Sequence, residues 1–125
     1  MASIKTSYDY KNDLTTHKVE GVFTAKEAKE KIEVYYLGNS ITKNTLWDFT
    51  KADVSKITTD EYQEIVNVAK KYAHLRKGGR SALVLSKDVG YGIGRMYGAL
   101  SEIENIPYEI RSFRDIKDAR EWLGV

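Results

Sequence analysis

The chain has 125 residues, 42% of them hydrophobic and 30% charged, a length that supports one hydrophobic core without disulfides or a structural metal. It has no cysteine, which excludes thiolate catalysis, cysteine-ligated zinc, iron–sulfur clusters and disulfides. Twenty basic and eighteen acidic residues give a net charge of +2, without the one-signed field of a dedicated nucleic-acid-binding protein. We expect a single domain over residues 1–125. The chain is rich in tyrosine, with nine tyrosine residues.

No stretch of the sequence predicts export or membrane insertion. The amino-terminal residues lack the apolar run of a signal peptide, and no segment approaches the length of a membrane-spanning helix. The composition is even along the chain, without repeats, linkers or low-complexity tracts. We therefore expect a cytoplasmic protein.

The first part of the chain predicts a β-hairpin followed by a helix. Residues 4–10 and 14–23 alternate apolar or aromatic with polar side chains, and the residues between them have turn chemistry. Thr24 and Glu27 then form a capping box. The helix that they open ends at Gly38-Asn39.

Strands and helices alternate through the rest of the chain. Residues 45–49 predict a short strand, and a second capping box, Thr58 with Glu61, opens a long helix that ends at Gly78-Gly79. The continuous apolar run 81–85 is typical of a strand covered on both faces. A helix over 88–104, a strand over 107–113 and a final helix from Asp115 complete the order ββαβαβαβα, an α/β fold with a mixed sheet.

Three stretches carry a more specific pattern than generic α/β alternation. They are Leu46-Trp-Asp-Phe49; Arg80-Ser-Ala-Leu-Val-Leu-Ser86 with Tyr91-Gly-Ile-Gly-Arg-Met-Tyr97; and Tyr108-Glu-Ile-Arg-Ser-Phe-Arg-Asp115 with Ala119-Arg-Glu-Trp-Leu123. With the element order, they resemble the small bacterial SpoIIAA-like proteins of the STAS superfamily, whose fold is also similar to that of the CRAL-TRIO lipid carriers. The resemblance implies a non-enzymatic binding domain that takes an apolar ligand, associates with a membrane or docks to a partner protein.

The anti-sigma-factor antagonists of that superfamily are switched by phosphorylation at a helix start, within an Asp-Ser-Ser-Gly stretch. This chain has Ile57-Thr58-Thr59-Asp60 at the corresponding place, so the glycine and the serine pair are missing. The resemblance makes Thr58 and Thr59 the candidate phosphorylation sites.

Gly90, Gly94 and Gly98 recur every fourth residue and form one stripe on the third helix. The spacing does not match a dinucleotide-binding turn. Each interior glycine costs about 1 kcal/mol relative to alanine, so the stripe needs a compensating reason. Close packing against a neighbouring element is one explanation, and a ligand groove beside Tyr91, Met96 and Tyr97 is the other.

A second candidate site follows from the parallel topology. If the strands that end at Asp48 and Ser86 are neighbours, polar side chains meet at the carboxyl edge of the sheet, where open α/β folds bind ligands. The alternative is that Asp48 accepts hydrogen bonds from its own loop and Asp88 caps a helix. Joined with the glycine stripe, the predicted ligand-binding residues are Asp48, Lys87, Asp88, Tyr91, Gly94, Arg95 and Tyr97.

Catalysis, a metal site and a cofactor are not predicted. Neither histidine lies at this edge, because His17 falls in the hairpin and His74 in a basic helix end. No two histidines, and no histidine with a carboxylate, fall at the spacing of metal ligands. A tyrosine has an apolar ring and a polar tip, which suit an interface or the mouth of an amphipathic site as well as a core. The tyrosines to which this applies are Tyr35, Tyr36, Tyr91, Tyr97 and Tyr108.

The densest positive cluster is the end of the second helix, with Lys70, Lys71, Arg76 and Lys77. It is interpreted as a solvated helix end that complements the dipole, or as a peripheral contact with anionic lipid. The leading prediction is reversible binding of an apolar or amphipathic small molecule, with membrane contact as one version of it. The alternative is a regulatory protein-interaction module of the antagonist type; nucleic acid is not an expected partner.

Overall fold

The computed structural model describes residues 2–125, which form a five-stranded sheet in the order β1-β2-β3-β4-β5 with four helices. The strands are β1 (Ser3–Asp9), β2 (Leu14–Val22), β3 (Asn44–Asp53), β4 (Arg80–Val84) and β5 (Glu109–Phe113). The helices are α1 (Ala25–Leu37), α2 (Thr59–Tyr72), α3 (Asp88–Ile103) and α4 (Ile116–Leu123). The first strand pair is antiparallel and the other three are parallel, which confirms the predicted mixed α/β order.

Local sequence signals account for where the helices begin. Thr24 accepts a hydrogen bond from the Glu27 backbone N–H while the Glu27 carboxylate accepts one from the Thr24 N–H, and Thr58 and Glu61 repeat the arrangement. Each box satisfies backbone donors that a helix start otherwise leaves unpaired. Both predicted helix starts are confirmed.

Two element boundaries differ from the sequence prediction. Strand β3 extends to Asp53 because β2 continues to pair with it beyond an irregularity between Lys18 and Glu20, through a second run of partners that ends at Val22↔Asp53. Helix α2 ends at Tyr72, and a 3₁₀ turn, Ala73–Arg76, follows it. This tighter turn carries Arg76 away from the exposed helix face on which the sequence prediction placed it.

The two faces of the sheet pack against different helices. Side chains alternate along a strand, so Thr45, Trp47 and Phe49 of β3 face one side and Leu46 faces the other. Helix α4 covers the second side, with the buried residues Leu14, Leu46, Ala82, Val84, Ala119 and Leu123. Helices α1, α2 and α3 cover the first side, where the larger core cluster includes Val19, Phe23, Tyr62, Ile65, Leu83 and Leu85.

Candidate functional site

A cavity of about 100 Å³ lies between the sheet and helices α1–α3, and we call it the sheet–helix cavity. Most of its lining is apolar and comes from every element on that side of the sheet, including Phe23, Ile32, Trp47, Phe49, Ile65 and Ile93. An apolar interior is ordinarily packed without gaps of this size. The space is therefore the feature of this face that a ligand would use.

The glycine stripe explains how α3 sits beside this cavity. A Cβ atom built on Gly94 would lie 2.6 Å from the Ser112 Oγ, and one built on Gly90 would lie 3.3 Å from a Leu85 methyl. Gly98 faces the Ile110 backbone at 3.6 Å in the same way. The stripe is thus a packing surface against β5 and the Leu85 side chain that follows β4, and Gly94 also borders the cavity. These contacts favour the packing explanation for the stripe, and the groove hypothesis stays a prediction at Gly94, which borders the cavity.

Arg76 provides the charge at the cavity. Its side chain lines the cavity and the residue is only 4% exposed. Its Nε and Nη2 donate to the Lys43 carbonyl at 3.1 and 2.9 Å, Nη2 also donates to the Arg80 carbonyl, and the guanidinium lies 4.3 Å from the Tyr108 ring centroid. No carboxylate within residues 2–125 forms an ion pair with it. The sequence prediction of a solvated charge is therefore wrong for Arg76.

Tyrosine hydroxyls accompany Arg76 in the lining, from Tyr36, Tyr97 and Tyr108. Burial raises the pKa of Tyr97 and, more strongly, the pKa of Tyr108, while the positive charge of Arg76 acts in the opposite direction on both. The hydroxyls of Tyr97 and Tyr108 are therefore protonated at neutral pH and can donate hydrogen bonds. Of the tyrosines singled out in the sequence, Tyr35, Tyr36, Tyr97 and Tyr108 border the cavity and Tyr91 does not, and their role at an amphipathic site stays a prediction.

His17 is the second polar group of the lining. It is 1% exposed, its Nδ1 lies 2.9 Å from the Thr6 hydroxyl, and its ring lies 4.2 Å from that of Trp47. Burial, followed by the charges of Lys31 and Arg76, lowers the pKa of His17 to about 3, so the ring is neutral at pH 7. Its Nε2 atom is buried without a hydrogen-bond partner among residues 2–125, which leaves one polar atom for an occupant of the cavity.

The polar lining is concentrated toward the amino ends of the parallel strands. Thr45 and Ser81, each the second residue of its strand, join their hydroxyls at 2.8 Å, and Arg76 and Tyr108 precede β4 and β5. The carboxyl ends contribute only apolar side chains to this space, such as Phe49. The polar end of the cavity is thus opposite to the sheet edge that the sequence predicted.

Of the seven predicted ligand-binding residues, the structure brings Gly94 and Tyr97 together at the cavity. Asp48 lies on the α4 face of β3, and its carboxylate accepts from the Thr50 N–H and hydroxyl at 3.0 and 2.7 Å. This is the local hydrogen bonding that the sequence analysis gave as the alternative to a ligand role.

The remaining four predicted residues lie outside the cavity lining. Lys87 is the N-cap residue of α3 without a side-chain cap, and it borders a separate surface groove at the carboxyl edge. Asp88 pairs with Arg114, whose guanidinium lies 4.5 Å from the Tyr91 ring centroid. Arg95 is exposed on α3. Asp88, Tyr91 and Arg114 thus form a surface cluster apart from the cavity.

The candidate phosphorylation sites stand at the start of α2. Thr58 is its N-cap residue and uses its hydroxyl to accept from the Glu61 N–H at 3.2 Å, whereas Thr59 is the first helical residue. Both are exposed. Thr59 is the freer acceptor of a phosphoryl group, because its hydroxyl is not part of the capping box.

Most of the cavity lining was not predicted as ligand-binding, including the polar residues His17, Arg76, Tyr36 and Tyr108. His17 could have been found from the alternation of β2, since it shares the inward face with Thr15 and Val19, both buried. The burial of Arg76 was not predictable in this way, because a basic residue that follows an amphipathic helix in the sequence is typical of a solvent-exposed helix C-terminus.

No helix in residues 2–125 has both the length and the apolar composition that crossing a bilayer requires.

Comparison with known proteins identifies the fold. No family model and no curated protein matches the chain. An uncharacterized protein of the DUF3478 family with a SpoIIAA-like fold, from Shewanella loihica PV-4, is 18% identical with a TM-score of 0.61, over 98% of this chain and 93% of that one. The anti-sigma factor antagonist SpoIIAA in its unphosphorylated form is 8% identical with a TM-score of 0.53, over 98% and 100% of the two chains. The chain therefore has a SpoIIAA-like fold.

Proposed function

We propose that this chain is a non-catalytic binding domain that reversibly holds a small apolar or amphipathic molecule in the sheet–helix cavity. The observation that carries the proposal is the cavity itself, which is lined by aromatic and aliphatic side chains with a few polar groups at one end. Ligand pockets in general have this composition, because apolar area provides affinity and sparse polar groups provide orientation. The unpartnered Nε2 of His17 adds support, since a buried polar atom is ordinarily satisfied by protein, water or ligand.

The half-buried state of α3 also supports this function. Its apolar residues Ile93, Met96 and Leu100 are all of intermediate exposure, and only Gly94 and Ser101 of the helix are fully buried. A helix held mainly by its glycine stripe can shift at modest cost in buried area, which gives a ligand a way in. We expect α3 to be the element that moves when the cavity fills.

Native mass spectrometry after gentle purification tests the proposal. We expect a mass above that of the bare chain, and organic extraction should release a compound that accounts for the difference. A bare mass, together with failure of small apolar compounds to raise the melting temperature, would contradict ligand binding. Ala28→Leu is the matched control, because it places three carbon atoms in the cavity and should prevent the adduct.

The fold comparison favours a second candidate, a regulatory protein-interaction module of the antagonist type. SpoIIAA is an anti-sigma factor antagonist, and this comparison supports the interaction module better than it supports ligand binding. Thr58 and Thr59 stand at the start of α2, where the helix dipole favours negative charge. Asp60 and Glu61 in the same turn oppose a phosphate there by like-charge repulsion.

Intact-mass measurement on protein from cells under several growth conditions tests this second function. A phosphate that disappears in Thr59→Ala but remains in Thr24→Ala, the matched cap residue of α1, supports a switch at α2. Absence of the phosphate under every condition, with no partner retained by Thr59→Glu or by the unmodified chain, would contradict it.

Contact with a membrane surface stays a prediction. Lys70 pairs with Glu104 at 3.3 Å and Arg76 is buried, so fewer free charges remain in the basic cluster than the sequence indicated. Charge reversal at Lys70, Lys71 and Lys77 should abolish salt-sensitive liposome binding, and unchanged binding would contradict this version.

A further inference from the structure

Resting on the proposed function, we propose that the occupant of the sheet–helix cavity is a small amphipathic anion, with short-chain carboxylates as the class. Its charged group binds at Arg76 among the hydroxyls of Tyr36, Tyr97 and Tyr108. Its hydrocarbon part extends toward the aromatic residues at the carboxyl ends of the strands, including Phe23 and Phe49.

The charge of Arg76 is the first step. A buried cation is costly unless it is paired, and within residues 2–125 this guanidinium meets only carbonyl oxygens and an aromatic face. Those contacts fix its plane and orientation but leave its net charge uncompensated. An anion at the cavity would supply the missing charge, and a carboxylate has the planar geometry that a guanidinium prefers.

The hydroxyl groups are the second step. Tyr97 and Tyr108 are protonated at neutral pH, so Tyr97 can donate to an oxygen of the anion, and Tyr108 can do so by exchanging the hydrogen bond that it shares with Tyr36. Thr45 and Ser81 lie at the same end and already bond to one another, which leaves one further hydroxyl proton for an acceptor. The polar end thus offers donors and a positive charge, and the cavity lining contains no carboxylate. This arrangement favours an anion over a cation or a neutral alcohol.

The size and lining of the cavity are the third step. Its volume of about 100 Å³ is smaller than the ~150 Å³ of a cavity that holds benzene, so the occupant is a small molecule, and a chain of the length of hexanoate enters only as α3 shifts. The wall away from Arg76 is apolar, with Phe23, Phe49 and Ile93. A polar group along the chain would meet His17, whose Nε2 has no partner.

A matched pair of ligands tests the inference: hexanoate and 1-hexanol, titrated at pH 7 into the full chain and followed by amide NMR shifts. We expect hexanoate to bind at least tenfold more tightly than hexanol, because only the carboxylate compensates the charge of Arg76. In Arg76→Gln, which removes the charge, the preference for hexanoate over hexanol should fall below about threefold. Arg80→Gln is the control, since Arg80 is exposed, donates to the Trp122 carbonyl and does not line the cavity. It should keep the wild-type ratio.

Each outcome separates this inference from the proposed function. Hexanol that binds as tightly as hexanoate to the wild-type chain would overturn the anion inference and leave ligand binding intact. A ratio in Arg76→Gln equal to that of the wild type would overturn the role of Arg76. If neither ligand binds, and neither do their four- and eight-carbon homologues, the proposed function itself fails. Should Arg76→Gln not fold, as judged by circular dichroism, the wild-type ratio alone decides.

Discussion

The two faces of the sheet contrast in how completely they are packed. On the α4 face, Leu14, Val84 and Ala119 are at most 1% exposed, the fully buried core is aliphatic, and the rings of Phe113 and Trp122 lie at its margin. On the opposite face, large aromatic rings such as Trp47 and Phe49 are only half-buried and border the cavity. The short helix α4 closes one face, whereas three longer helices leave a gap on the other.

The difference lies in the shapes of the side chains more than in the amount of apolar material. Aliphatic residues fill the centre of the α4 face, while rings on the other face border a cavity with Arg76 and His17 and a helix whose glycines pack against β5. Polar groups buried next to unfilled space cost stability, so we expect the cavity face to contribute less to stability than the α4 face, in keeping with the proposed ligand site. We therefore expect the α4 face to provide more of the stability of the fold.

The largest expected effect compares two leucines on neighbouring central strands. Leu46→Ala on the α4 face should lower the free energy of unfolding by about 3–5 kcal/mol, because close neighbours surround the deleted atoms. Leu83→Ala should cost about 2–3 kcal/mol, because Leu83 already borders the cavity and loses fewer contacts. Urea denaturation of both variants measures the difference. Equal losses would show that the cavity face is packed as tightly as the α4 face.

Replacement of an alanine by leucine should destabilise the chain more on the α4 face than on the cavity face. Ala119→Leu on α4 enters a site with 0% exposure and should cost about 1–3 kcal/mol by overpacking. Ala28→Leu on α1 enters the cavity lining and should be neutral or stabilising by up to about 1 kcal/mol. Thermal unfolding of the two variants is the measurement. A loss in Ala28→Leu as large as that in Ala119→Leu would mean that the cavity cannot accept three additional carbon atoms.

His17 gives the cavity face a pH dependence that the α4 face lacks. Burial lowers its pKa to about 3 from an unfolded value of 6.5, so between these values the unfolded chain binds the additional proton. The contribution of His17 to the free energy of unfolding is fully present above pH 6.5. It declines as the pH falls toward 3, by about 1.4 kcal/mol per pH unit at its steepest.

The variant His17→Asn, which cannot titrate, isolates this contribution. Urea denaturation at several pH values between about 4 and 7 measures how the free energy of unfolding changes with pH. We expect this dependence to be shallower in His17→Asn than in the wild type, by the uptake of close to one proton on unfolding. His74→Asn is the control, because His74 is exposed. A wild-type slope in His17→Asn would show that other groups carry the acid sensitivity.

Much of the fold is predictable because its signals are local. The two capping boxes, the alternation along β2 and the continuous apolar run of β4 each involve residues a few positions apart, and all three were confirmed. The length of β3 was not predicted, because the pairing of Lys51 and Ala52 with β2 depends on a register irregularity that no local pattern reveals.

The site was less predictable because its parts are distant in sequence. Arg76 is buried through the carbonyl of Lys43, 33 residues earlier, and the ring of Tyr108 on a separate segment. Gly94 and Tyr97 were found because helical periodicity places both beside the core. Asp48 and Asp88 were chosen because parallel α/β folds commonly bind ligands at the carboxyl ends of their strands. Topology alone does not show that the polar groups of this cavity lie at the amino ends.

The smallest effect concerns two glycines of α3 and tests whether the stripe is a packing surface. Gly92→Ala meets nothing within 4 Å and should stabilise the chain by up to about 1 kcal/mol through helix propensity. Gly94→Ala has the same propensity gain, but its Cβ would lie 2.7 Å from a Leu85 methyl and closer still to the Ser112 hydroxyl, so those side chains must shift. Overpacking should exceed the gain and leave a net loss of about 1 kcal/mol. Urea denaturation measures both, with the Gly92 variant as the matched control. Equal stabilisation in the two variants would mean that α3 is not held against β4 and β5 by its glycines, and that its position beside the cavity needs another cause.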